Sequence, residues 1–297
     1  MARRTRLGST RFKLRKISKR CVTGCQLFGF SFHFIPFDKG LSLHESSPLS
    51  ISFQYAIKKD DVYFFKGRVF SELGRFSKAD KAYNNTININ LNYIGAWNNL
   101  GNNAFRQQNF SQAVKYYKKE LIRNQTSIPY RALGRAYVEL GKIDSARICF
   151  QHSIELNNNY ASAYLNLAQL EEDEGNLNKA LRFASRAYAL EPTNIEYQYV
   201  YSTILVQMDR GKDAIYSLRE IIKKWPWHHG AHYNLGRALI QSGQKKEGQQ
   251  YLDEAENVRA AQAKIDHLEN TIRALPDDPY SYAALAFALR KAGRFND

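Results

Sequence analysis

An all-α solenoid of stacked helix pairs is the fold class that this 297-residue sequence predicts, on three observations. A slot of small residues returns six times at a spacing of 34 residues, once shortened to 33: Gly67, Gly101, Gly134, Ala168, Ser202 and Gly236. Twelve residues further on a second small slot reads Ala79, Ala113, Ala146, Ala180, Ala214 and Gly248. Between them lies a turn slot of Gly74, Gln108, Gly141, Gly175, Asp209 and Gly243. Small residues on both sides of a turn let two helices approach closely. Each pair alone cannot bury its apolar face, so neighbours stack into one continuous core. Strand alternation and Gly-rich crossovers are absent from the sequence.

The units run over about 60–93, 94–126, 127–160, 161–194, 195–228 and 229–262. Pro192 and Pro226 close two of them, where a residue without an N–H ends one helix and turns the chain into the next. The others close on Leu91, Gln125 and Asn158. Lys66 in the first unit, and Gln198 and Asp209 in the fifth, depart from the pattern. The second unit displays it most fully. It has Trp97-x-x-Leu100-Gly101, then Ala113 and Tyr117, with Tyr130-x-x-Leu133-Gly134-x-x-Tyr137 opening the third. This pattern resembles the tetratricopeptide repeat (TPR) family. The resemblance implies a right-handed superhelix whose first helices line a concave face.

At the C-terminal end the period breaks. Ala286, the next residue in the first small slot, lies 50 residues after Gly236 instead of 34. Across the extra stretch Leu252, Ala255, Val258, Ala261, Ile265, Leu268, Ile272 and Leu275 recur every three or four residues without Gly or Pro. The spacing predicts one prolonged helix from about Glu247 to Leu275, stopped by Pro276 and Pro279. Tyr282-x-x-Leu285-Ala286-x-x-Leu289 then reads as the first helix of a seventh unit. Its uncovered face implies either a second subunit or a longer chain. The domain reading is therefore 1–54 as an N-terminal segment, 55–262 as six repeats, and 263–297 as the extended helix with a half-repeat.

The N-terminal segment has a different composition. Residues 1–37 hold nine Lys and Arg, all in the first 20, and no Asp or Glu, which accounts for nine of the net +15. An apolar stretch follows from Cys21 to Phe37, interrupted by Gln26, Ser31, His33 and Pro36. Its length sits at the lower limit of a membrane span. A signal peptide is disfavoured because no Ala-x-Ala site follows. A lipoprotein signal is excluded because the apolar run follows Cys25 instead of preceding it. A transit peptide fits the charge but lacks clear amphipathicity. A membrane tether through residues 1–37 and a basic tail both stay open, so the chain is read as cytoplasmic or N-terminally membrane-tethered. A basic tail binds phosphates without sequence preference, and no specific nucleic-acid partner is implied.

Catalytic patterns are missing: there is no phosphate-cradling Gly loop, no Gly-x-Ser-x-Gly elbow and no His-Glu-x-x-His run. No cofactor is implied. Three cysteines make no disulfide framework, and Cys149 falls at a packing position. His228, His229 and His232 have ligand-like spacing, but the first two sit in a turn and His232 occupies the aromatic packing slot, so no metal site is assigned. Glu171-Glu172-Asp173-Glu174 reads as a solvated helix end, and Trp225-Pro226-Trp227 as packing at a unit boundary.

Function is therefore sought in the concave face. The family's frame, carried onto this sequence, puts Phe64 and Arg68 there, then Asn98, Asn99, Asn102 and Arg106, and next Arg131 and Arg135. Asn166, Gln169, Tyr199, Thr203, Tyr233, Asn234 and Arg237 complete it. Asn99, Asn166 and Asn234 share one slot, similar to the Asn ladder of the O-GlcNAc transferase superhelix. An amide both donates and accepts, as an extended peptide backbone requires. The set that clamps chaperone tails in other members is absent. The implied function is a non-catalytic scaffold whose groove holds a protein or peptide segment, with the early Arg residues favouring an acidic one. The alternative is the substrate-presenting part of a longer enzyme.

Overall fold

The computed structural model describes residues 58–294, so the basic N-terminal segment, with the tether read for residues 1–37, lies outside the described residues. Thirteen helices and no strand occur among them. The chain divides after Asn124 into two compact bodies.

The first body holds α1 (Lys59–Glu72), α2 (Phe76–Ile89), α3 (Ala96–Arg106) and α4 (Phe110–Leu121), paired as two hairpins. The small slots work as the period implies. A Cβ on Gly67 would stand 2.6 Å from the Tyr83 ring, and one on Gly101 2.4 Å from Tyr117, so hydrogen is the only side chain that fits. Tyr83, Ile87, Ala96 and Leu100 form the core between the hairpins, which removes their apolar surface from water. Glu120, 1% exposed, turns back to accept from the backbone N–H of Gly95 at 2.7 Å and of Asn98 at 3.2 Å. A carboxylate there satisfies orphan donors and meets the positive end of α3.

The second body continues the alternation with α5 (Ser127–Glu139), α6 (Ile143–Leu156), α7 (Ala161–Asp173), α8 (Leu177–Leu190), α9 (Ile195–Gln207), α10 (Gly211–Lys224) and α11 (His229–Gln241). Each unit is a hairpin of a first helix and a second helix, and the next first helix packs on both. Phe150 fills the space left by Gly134, at 2.5 Å from where a Cβ would stand. Ala180, Ala184 and Ala187 are fully buried and bring α8 close to Val200 and Ile204 of α9. Asp209 makes its turn at φ +57° and Gln108 in the first body makes its turn at +59°, whereas the other four turn slots use glycine. Gln198, in the aromatic slot of the fifth unit, is buried and donates to the Ser217 carbonyl at 3.3 Å.

The period break is one helix. α12 (Lys245–Ala274) runs for 30 residues without interruption, roughly 45 Å at 1.5 Å per residue. No turn falls between Asn257 and Lys264. Its proximal half packs on α11 as the second helix of the sixth unit, and Ile265 on its distal half is 1% exposed. Leu275, the last of the expected apolar series, caps the helix and is exposed. α13 (Pro279–Lys291) packs on α12, its first turn capped by Asp278, which accepts from the N–H of Tyr280 and Ser281. Among the described residues, no helix is long and apolar enough to cross a membrane.

Candidate functional site

In the second body the first helices α5, α7 and α9 lie side by side and open a cleft of about 690 Å³. Four residues placed on the concave face by the sequence frame line it together: Arg131 and Arg135 from α5, Asn166 and Gln169 from α7. They are linked. Arg131 Nε donates to the Tyr160 hydroxyl at 2.7 Å, and its guanidinium lies 5.4 Å from that ring's centre. A second nitrogen of the same guanidinium donates to Asn166 Oδ1 at 3.4 Å, and Asn166 Nδ2 donates to Gln169 Oε1 at 3.5 Å. Ser162 Oγ and the Tyr197 hydroxyl, 2.9 Å apart, connect α7 to α9 along the same wall. Burial pushes the Tyr197 phenol above its ordinary range, so it stays neutral.

The C-terminal rim of the cleft is acidic. Glu139 closes α5, and Glu172 and Asp173 close α7. Burial raises the Glu172 carboxyl above the usual carboxylate range, with neighbouring Asp173 adding to the rise and the bond from Gln207 Nε2, at 2.7 Å, opposing it. Glu196, on the first turn of α9, contributes a further carboxylate at the opposite end.

The other frame residues are placed differently. Asn234 is 4% exposed, and its amide donates to Thr203 Oγ1 at 2.9 Å and to the Tyr199 hydroxyl at 3.4 Å. It ties α11 to α9. Tyr199 packs on His228 at 4.5 Å between ring centres, while Tyr233 is half exposed with Arg237 6.0 Å from its ring centre. In the first body Asn99 donates to the Gly95 carbonyl within its own helix and Asn102 accepts from the Tyr117 hydroxyl at 2.9 Å. Asn98 Oδ1 is buried with no hydrogen-bond partner. Arg106 donates to the Ser71 carbonyl at 2.8 Å and covers the Phe76 ring. Arg68 is exposed on α1.

The acidic run is only in part a solvated helix end. Glu171 is 2% exposed, receives Arg147 Nε at 2.8 Å and Asn176 Nδ2 at 2.9 Å, and has Lys179 at 4.0 Å. Burial alone would raise its carboxyl, but these partners outweigh burial and hold it below the ordinary range. Its periodic position, facing α6, outweighs the charge of its neighbours. His232 Nε2 lies 2.8 Å from the Pro226 carbonyl and its ring packs near Tyr251, so it serves the aromatic slot. Among the described residues no group of three His, Cys, Asp or Glu is arranged to hold a metal. Trp225, Trp227, His228, His229 and Ile195 surround a smaller hollow of about 320 Å³.

Comparison with known proteins finds the same kind of repeat. The tetratricopeptide repeat family model matches residues 60–93 and 94–119, and a second TPR repeat model matches 134–173. A third, described as anaphase-promoting complex, cyclosome, subunit 3, matches 173–255. The chain is a tetratricopeptide repeat protein. Its TPR units are 36% identical over 72 residues to human tetratricopeptide repeat protein 8, covering 24% of this chain and 13% of that protein. They are 22% identical over 179 residues to anaphase-promoting complex subunit 3 of Schizosaccharomyces pombe, covering 59% of this chain and 27% of that one. The chain thus spans between 13% and 27% of the length of these curated relatives. Among solved structures it is similar in fold to YrrB, described as a TPR protein with an unusual peptide-binding site. The TM-score is 0.53 at 18% identity, over 61% of this chain and 94% of that one. TPR scaffold families are generally non-catalytic.

Proposed function

We propose that this TPR protein is a non-catalytic scaffold that holds an extended segment of a partner protein in the cleft of α5, α7 and α9. The observation that carries the reading is the convergence of Arg131, Arg135, Asn166 and Gln169 on one 690 Å³ cleft. A polar lining fixed by its own hydrogen bonds is pre-organised, so little ordering entropy is lost when a peptide backbone docks. YrrB, similar in fold, is described by its own peptide-binding site, which fits the same reading. The two Arg residues favour an acidic side chain in the segment, because a guanidinium meets a carboxylate with two parallel hydrogen bonds. Tethering through residues 1–37 is part of the proposal for localisation only.

A tiled peptide array probed with the full chain identifies segments that bind. Arg131→Ala with Arg135→Ala lowers affinity for the best of them at least about tenfold while helical content stays constant. Unchanged affinity removes the cleft from the reading.

A further inference from the structure

The signs of charge along the cleft are sorted, and the sorting runs with the helix dipoles. Arg131, Arg135 and Glu139 lie at i, i+4 and i+8 on α5, one stripe about 12 Å long at 1.5 Å per residue. The two cations precede the carboxylate, which stands on the last turn. On α7 the acidic pair Glu172 and Asp173 again occupies the last residues of the helix. As alternate members of a chain of helix hairpins, α5 and α7 run in the same direction, so their carbonyl ends and all three carboxylates share one rim. Helices are stabilised by the opposite arrangement, with acids first and bases last. Glu196 stands at the other end, but on the first turn of α9, where the helix N–H groups offset its charge.

We infer that the cleft selects a bipolar segment, one carboxylate side chain seated on Arg131 and Arg135 and one Lys or Arg side chain seated on the Glu139, Glu172 and Asp173 rim. This inference rests on the proposed peptide-holding role and names the chemistry of its occupant. In an extended chain residues i and i+4 point to the same side and stand roughly 13 Å apart, close to the span of about 12 Å from Arg131 to Glu139. The segment therefore reads acid-x-x-x-base or base-x-x-x-acid. An all-acidic segment satisfies one end and is repelled at the other, so the rim acts against it. Burial, with Asp173 adding to it, raises the Glu172 carboxyl, and a cation seated beside it offsets that rise.

Four synthetic nine-residue peptides, added to the full chain and followed by fluorescence anisotropy at low salt, test this. They carry Glu and Arg four positions apart, two Glu, two Arg, or two Gln at the same positions. The bipolar peptide, in its better orientation, is expected to bind at least tenfold tighter than the other three. Glu139→Lys with Asp173→Lys, two exposed positions, should transfer that preference to the two-Glu peptide with helical content unchanged. If the two-Glu peptide binds the unaltered chain as tightly as the bipolar one, bipolar selection is overturned and the groove reading stands. If none of the four binds, both are overturned.

Discussion

Arg147 on α6 and Glu171 on α7 meet at 2.8 Å across the boundary between two repeats, the guanidinium a quarter exposed and the carboxylate almost fully buried. The pair joins the second helix of one unit to the first helix of the next, in the middle of an interface otherwise made of apolar side chains such as Phe150, Leu167 and Leu170. Desolvation makes such a pair a modest source of net stability, but losing one partner strands the other.

Glu171→Gln is therefore expected to destabilise the second body by about 2 kcal/mol at pH 7, below the usual cost of breaking a buried pair because Arg147 can reach water. The pH dependence has a definite sign. The folded carboxyl is held below its unfolded value, so its contribution is present above roughly pH 4.3, the unfolded value, and is lost as pH falls through the folded one. Urea unfolding of both chains at pH 7 and near pH 3 should show the gap closing in acid. A gap that persists there would contradict the assigned charge state.

Gly101→Ala probes the small slot. The new methyl carbon would stand 2.4 Å from the Tyr117 ring, and overpacking of this kind costs about 1–3 kcal/mol. The gain in helix propensity from Gly to Ala, about 1 kcal/mol, offsets part of it. Net stabilisation in thermal unfolding would mean that Tyr117 can move aside.

Asn234→Ala separates folding from binding. Removing the amide leaves Thr203 and Tyr199 without their donor and should cost about 1–2 kcal/mol. Affinity for a segment seated in the α5–α7–α9 cleft should stay within twofold. A loss of affinity without a loss of stability would return Asn234 to the ligand-facing set.

Ala263→Pro tests the long helix. The position is exposed on α12, so the ring removes a backbone hydrogen bond and clashes with the preceding turn at a cost of about 3 kcal/mol or more. Hydrogen exchange should rise across α13 and the distal half of α12 while α1 to α4 keep their protection, because repeat stacks couple mainly to neighbours. Uniform loss of protection would show coupling over a longer range.

What could be read from sequence was whatever repeats. The period locates the turn at Gln108 and at Asp209, although neither is the glycine that this left-handed backbone usually takes, because the surrounding slots leave nowhere else for the turn to fall. The unbroken apolar series likewise identifies α12 as one helix. In the cleft, Arg131, Arg135, Asn166 and Gln169 were legible because a helix face follows from register. Tyr160, Tyr197 and Thr203 as partners were not, since they lie 29 to 35 residues from the groups they bond and pairing across repeats has no local pattern. For the same reason Asn234 looked like a ligand contact, and Glu171 was masked by the acids that follow it.

The 30-residue α12 also bears on how far the proposed segment would extend. The 16 residues by which the spacing is stretched add a little over four helical turns, at 100° per residue about 160° of net rotation, and carry the helix end roughly 24 Å onward. α13 accordingly leaves α12 facing nearly the opposite way from a seventh unit joined without the insertion. Whereas α5, α7 and α9 each lie against the next first helix, α13 lies against α12. A peptide following the inner row of helices through the second body would run out of track at α11, so the insertion would limit the footprint of a segment held in that body.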